Sequence, residues 1–297
     1  MIKRDTLLNW PFEEKVQRYT RRDAMLYALS IGFGSDPLDP GHLRHVLEDE
    51  TRVFPTMALV LAHPGPWTAD PATGIDRKGV VHGEQRLIIH KDLPPEGAVR
   101  SRNRVNAVID KGEGKGAVIQ TERCLHDVES GELLVTIQGT TFCRRDGGFD
   151  KAGDDAPPPA LRAEPPARPA RPCDVSAEMA TLPGAALLYR LNGDYNPIHS
   201  HPESARASGF ERPIAHGLLT LALAARLLEE ASGFRDLVEI NARFAAPMVP
   251  GETLLLEMWH GDDGETWYRG LCKERRVEVL SKGYAKLAAR ARKQEGA

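Results

Sequence analysis

Two residues in the second half of the chain have types and spacing suited to proton transfer. Asp194 and His199 stand five positions apart in Tyr189-Arg-Leu-Asn-Gly-Asp-Tyr-Asn-Pro-Ile-His199. Gly193, Asn196 and Pro197 keep that stretch from running as a regular helix, so the carboxylate and the imidazole can converge on one point. Such a pair can act as general acid and base; an Asp near a Pro is also a common turn former, which is the structural alternative for Asp194. Seventeen residues after His199 comes His216, followed by Gly217 and a long apolar run. The Gly217 backbone N–H, at the positive end of a helix dipole, is a candidate oxyanion donor. His216 sits where a histidine completes a turn by hydrogen bonding rather than by moving protons.

These residues need a scaffold, and the patterning supplies one. Leu218 to Ala231 is apolar on most faces with its charges gathered at the C-terminal end, as in a helix buried along most of its length. After it, residues 238–245, 254–259, 266–273 and 277–284 read as strands. The first half offers Arg86–His90, Arg104–Ile109, Ala117–Glu122 and Leu133–Gln138, rich in β-branched residues and joined by the hairpin signals Asp110–Gly116 and Glu129–Gly131. Asp23–Gly32 parallels Gly184–Gly193, and Leu93-Pro-Pro-Glu-Gly97 parallels Met248-Val-Pro-Gly-Glu252, so the chain is expected to be a duplicated module. The copies are not equal. Between Val53 and Gly79 lie Pro55, Pro64, Pro66 and Pro71, so the first half's long helix is expected to be reduced or lost, leaving room for a bulky ligand. Where the second half has Asp194 and His199, the first has Phe33-Gly-Ser-Asp-Pro-Leu38, without the pair at that spacing, so one active half per chain is expected.

Composition bounds the rest. The expected division is residues 1–143, a linker over residues 144–172 with seven prolines, and residues 173–297. A net charge of -3 and a pI near 6.4 argue against nucleic acid as a partner. No run approaches a membrane span, and the segment Lys286–Lys293 reads as solvated helix surface. Four cysteines without a Cys-x-x-Cys suggest free, buried thiols and a cytoplasmic enzyme.

Three segments carry a family resemblance: Tyr-Arg-Leu-x-Gly-Asp-x-Asn-Pro-x-His at 189–199, Pro213-Ile-Ala-His-Gly-Leu218, and Arg243-Phe-Ala-Ala-Pro-Met-Val-Pro-Gly-Glu252. Together they resemble the MaoC-type, or hydratase 2, family of (R)-specific enoyl-CoA hydratases. The first half is similar as well, at Asp23–Gly32, Leu47-Glu48 through Thr56, His82-Gly-Glu-Gln85 and Thr141-Phe142. The resemblance implies an α+β double hot-dog, each half a curved antiparallel sheet around a helix. It implies reversible addition of water to a trans-2-enoyl-CoA, giving an (R)-3-hydroxyacyl-CoA, with no cofactor or metal. It implies further that Asp194 is the acid/base and that His199 holds the same water. Glu48 matches a second carboxylate reaching the site from the other half, unless it is one of three acids on a solvated turn. Asn196 and Tyr189 match ligand-cleft positions, though Tyr189 is equally suited to the core. By analogy, a homodimer is expected.

Other motifs fail. His199-Ser-His201 with His216 lacks the helical Glu-x-x-His of a metal site, Gly32-Phe-Gly34 lacks the third glycine of a dinucleotide loop, and Gly112-Glu-Gly-Lys-Gly116 lacks the hydroxyl residue of a phosphate loop. The sequence assigns His82-Gly-Glu-Gln85 no chemistry; a structural role beside the cleft is the expectation. A 3-hydroxyacyl dehydratase working on an acyl carrier protein and a non-catalytic acyl-binding double hot-dog are the competing readings.

Overall fold

The computed structural model describes residues 1–150 and 164–288. They fall into two compact units: Met1–Tyr27, Glu48–Glu164 and Asn192–Asp194 in the first, and Ala28–Leu47, Pro165–Leu191 and Tyr195–Ala297 in the second.

The first unit holds five antiparallel strands: β1 (Lys15–Tyr19), β2 (Val80–Ile89), β3 (Gly97–Asp110), β4 (Ala117–Asp127) and β5 (Leu133–Cys143), ordered β1-β3-β4-β5-β2. The expected turns join β3 to β4 and β4 to β5; Gly131 takes φ +73°, a left-handed conformation that suits glycine in the second of them. Val105, Val108, Ala117, Ile119 and Cys143 pack with Ile2 and Leu7 into a core extended by Trp10, Phe12, Trp67 and Phe149.

The expected loss of a long helix here is borne out. Residues 55–79 form only 3₁₀ turns at Pro55–Leu59, Trp67–Ala69, Pro71–Thr73 and Arg77–Gly79. Pro55 and Pro71 open two of these turns, and Pro64, Pro66 and Pro71, which lack an N–H, could not sit inside a helix running on through the stretch. Arg123 of β4, buried, closes the first turn by donating to the carbonyls of Leu59 (2.7 Å) and Leu61 (3.1 Å). Carbonyls past a helix end otherwise lack partners, so this guanidinium does the work of a missing turn.

The second unit repeats the pattern with β6 (Val175–Ala180), β7 (Leu237–Phe244), β8 (Thr253–His260), β9 (Glu265–Cys272) and β10 (Val277–Leu287), ordered β6-β8-β9-β10-β7. Strand for strand this is the first unit's order, as duplication requires. The helix Gly217–Ala231 packs against β6, β7, β8 and β10, and every residue from Leu219 to Glu229 is buried.

Some expectations change. The tail from Lys286 begins as strand, because β10 runs to Leu287, so its described part is not helix; residues 289–297 lie outside the described residues. Of the stretch 144–172, residues 151–163 also lie outside them. Its first residues are tied down: the Asp110 carboxylate accepts from the backbone N–H of Gly148 and of Asp150, each at 2.8 Å. All four cysteines are free, but only Cys143 and Cys272 are buried; Cys124 and Cys173 are half-buried. No helix among the described residues is long and apolar enough to cross a membrane.

Candidate active site

The segment from Gly193 to Gly217 builds the site locally. Gly193 takes φ +118°, which turns the chain out of the preceding 3₁₀ turn Arg190–Asn192. Asn196 then caps a 3₁₀ turn at Pro197–His199, its side-chain oxygen accepting from the Ile198 N–H at 3.3 Å. Asn196 itself is exposed. A clasp fixes the far side: Ile214 N–H donates to the Ile198 carbonyl (3.3 Å), and the Ile214 carbonyl faces Nδ1 of His199 at 2.9 Å.

The clasp sets a tautomer. A carbonyl only accepts, so Nδ1 of His199 carries the proton, and the neutral ring presents an Nε2 lone pair. The His199 ring stacks on His216, with centroids 3.8 Å apart and planes at 28°. His216, 1% exposed, occupies the N-cap position of the helix Gly217–Ala231, and the Tyr189 ring lies 5.0 Å from it. Asp194, His199 and His216 each offer one atom within 4.8 Å of the others. The carboxylate and the imidazole singled out by spacing therefore do converge.

The other sequence candidates sort by place. Gly217 is the first residue of the helix, and a Cβ there would stand 3.2 Å from Cε1 of Phe244. Absence of a side chain lets the helix start close to that ring, with the N–H groups of its first turn lacking partners inside the helix. Tyr189 is fully buried, which makes it core packing beneath His216. Glu48 is exposed on its turn and lies outside the Asp194 cluster; its carbonyl accepts from Arg21 (2.8 Å) and Thr51 (3.4 Å).

Three such donors so close could hold a metal ion, but their geometry fits one poorly. A metal needs imidazole lone pairs that converge in the planes of both rings, at about 2.0–2.1 Å. Nearly parallel stacked rings send their lone pairs side by side rather than to one point. Proton transfer suits this set better than coordination.

The first unit holds two histidines whose titration is displaced, His82 and His63. In β2 the run His82-Gly-Glu-Gln85 forms a bulge: His82 pairs with Thr141 and Glu84 with Thr140, so Gly83 is the extra residue. Gln85 anchors the bulge by donating to the Gln138 carbonyl at 3.0 Å, and its side chain hydrogen-bonds His82. Burial holds His82 down at about 4, against the raising effects of Gln85 and of the Asp194 charge. Burial and then the Arg123 guanidinium hold His63 down at about 3, again against Asp194. Both residues are nonetheless exposed at the surface. His63 escaped the sequence reading because it sits in the Pro/Gly-rich stretch, where nothing periodic marks a side chain.

A five-stranded order used twice, with a half-buried carboxylate beside stacked imidazoles at the start of the long helix, defines a two-module hot-dog protein. The family model described as MaoC like domain matches residues 164–282, and the one described as MFE-2 hydratase 2 N-terminal domain matches residues 17–145. The chain is 37% identical over 248 residues to the enoyl-CoA hydratase ChsH3 of Mycobacterium tuberculosis, covering 81% of this chain and 83% of that protein. It is 35% identical over 297 residues to the peroxisomal enoyl-CoA hydratase 2 of Arabidopsis thaliana, covering 94% of each. A MaoC-like dehydratase from Phytophthora capsici superposes with a TM-score of 0.82 at 28% identity, covering 97% of this chain and 99% of the other. A Mycobacterium tuberculosis protein described as a double hot-dog matches at 0.54 and 14% identity, covering 92% of this chain and 95% of the other, a likeness of fold alone. The chain belongs to the MaoC-like hydratase 2 family, and it is a hydro-lyase with a double hot-dog fold.

Proposed function

We propose that the protein is an (R)-specific 2-enoyl-CoA hydratase acting on medium, long or bulky acyl groups, without metal or cofactor. The observation that carries this reading is the convergence of Asp194 and His199 with the His199 tautomer fixed. Hydration needs a base for the water that attacks C3, a proton for C2, and stabilisation of charge on the thioester oxygen. The Asp194 carboxylate and the Nε2 lone pair of His199 are two acceptors for the two hydrogens of one water. Once Asp194 has taken a proton it can return it to C2, so the pair ends each turnover as it began. The Gly217 N–H meets the oxyanion, with the helix dipole behind it. Microscopic reversibility makes the same groups a dehydratase in the other direction.

The preference for large acyl groups is supported by the first unit, where a 3₁₀ turn of five residues stands in place of a fifteen-residue helix. Glu48 is kept in this proposal as a second carboxylate that partners Asp194 in acid/base work. The same reading includes a cytoplasmic homodimer; a monomer by size-exclusion with light scattering would remove the dimer from it.

The deciding experiment follows loss of the enoyl-thioester absorbance for trans-2-enoyl-CoA substrates of graded length, with wild type and Asp194→Ala. Wild type should turn over and the variant should not. Inactivity of wild type at every length, or a variant with near wild-type kcat, would sink the assignment.

A further inference from the structure

Asp194 sits in a stretch with little packing of its own. Leu191, Gly193, Tyr195, Asn196 and Pro197 are all exposed, and a Cβ at Gly193 would meet nothing within 4 Å. Glycine at φ +118° lets the chain turn there but supplies nothing to hold the turn. The Asn196 cap and the Ile214 clasp fix the segment downstream of Asp194. A second hold, upstream, comes from Arg190.

Arg190 rises from an anchored base. It follows the fully buried Tyr189 and ends the helical turn Ala185–Tyr189, with its backbone N–H bonded to the Ala186 carbonyl. Its guanidinium stands over the Tyr195 ring, 4.8 Å from the centroid, and both residues belong to the second unit. The buried Nε of Arg190 has no hydrogen-bond partner, and among the described residues no carboxylate pairs with the guanidinium. A planar cation in that position is held by the negative face of the ring. Tyr195 is 56% exposed, so the ring in turn owes little of its place to packing in a core. The contact closes a loop of chain from residue 190 to residue 195, with Asp194 one position from its end.

We infer that Arg190 is a positioning residue: its cation–π contact with Tyr195 clamps the turn that carries Asp194 and so holds the carboxylate where it meets the water. The part played in turnover rests on the hydratase reading; the clamp on the turn does not.

The test uses the full chain in two measurements on the same variants. Arg190→Met keeps the stem and removes the cation, Tyr195→Leu removes the ring, and Tyr195→Phe keeps its face. Amide hydrogen exchange read by mass spectrometry over residues 191–196 should quicken in the Met and Leu variants and match wild type in the Phe variant. In initial rates with trans-2-enoyl-CoA, the Met and Leu variants should lose about tenfold in kcat with KM and melting temperature nearly unchanged, as a displaced but intact carboxylate would. Phe should keep wild-type kcat, and Arg190→Lys should recover only part, since an ammonium stacks on a ring less well than a guanidinium. The Met/Leu double variant should be no slower than the worse single, because both remove one contact. Unchanged exchange in the Met and Leu variants would refute the clamp, whether or not the protein is a hydratase. Faster exchange with wild-type kcat, or losses that multiply in the double variant, would refute the positioning role. A wild type inactive on every enoyl-CoA would remove the hydratase reading and that role with it, and the exchange would still decide the clamp.

Discussion

Replacing His199 by Asn separates the two jobs of that ring. An Asn amide N–H occupies nearly the place of Nδ1–H, so the bond to the Ile214 carbonyl, 2.9 Å in the native site, can be kept. Nothing then reaches the place of Nε2. Retaining the bond saves about 1 kcal/mol, and losing the stack on His216 should cost no more than about 1 kcal/mol. The melting temperature should then fall by only about 2–4 °C. The chemistry should suffer far more. General acid/base catalysis is worth about two to four orders of magnitude, or about 3–5 kcal/mol of barrier, and kcat should fall accordingly. His199→Gln inverts the trade, since its amide reaches toward Nε2 but abandons Ile214, and should melt lower than the Asn variant. Initial rates of enoyl-thioester loss at saturating substrate, with thermal melts of both proteins, read the two effects apart. A folded Asn variant within about threefold of wild-type kcat would refute the role given to Nε2, and a Gln variant more stable than the Asn variant would refute the clasp.

Other outcomes follow from the same geometry. Gly217→Ala brings a Cβ to 3.2 Å from Phe244, so the ring must shift by a few tenths of an ångström; kcat should drop about tenfold with KM and melting temperature little changed, since a local shift of this size at the oxyanion donor weakens an interaction made mainly in the transition state. Arg123→Met strands the Leu59 and Leu61 carbonyls; urea unfolding should show a loss of about 2–4 kcal/mol. His63 and His82 have folded values of about 3 and about 4 against an ordinary 6.5, so the unfolded chain takes up protons first as the pH falls. Stability should accordingly decline from about pH 6.5 down to about pH 3, and His82→Gln should flatten the part of that decline above about pH 4 in urea midpoints taken across the range.

The legible part of the sequence was the part whose physics is local or periodic. Strands β2–β5 and β7–β10 were readable because β-branched residues fall between strong turn signals, and the helix Gly217–Ala231 because its apolar run is long. Strands β1 and β6 were not, since Lys-Val-Gln-Arg-Tyr and Val-Ser-Ala-Glu-Met-Ala are short edge strands, largely exposed, with little apolar alternation to announce them. In the site, Asp194 and His199 were found by spacing, because five residues of turn can bring them together unaided. Tyr189 could be core or cleft from its sequence position, and only its complete burial under His216 decides for core. His63 and Arg123 were invisible, since both owe their form to contacts made across a sheet or a tight turn.

The buried guanidinium of Arg123 has a consequence for descent. Loss of Arg123 alone leaves two backbone carbonyls without donors, while regrowth of the ancestral helix with Arg123 in place would take those carbonyls back and leave a cation in the interior. Each single step lowers stability, so returning to the form of the twin takes at least two coordinated changes. The asymmetry between the two copies is in that sense a ratchet, held by one side chain, and relatives in which this position is not basic should carry a different element over the first sheet.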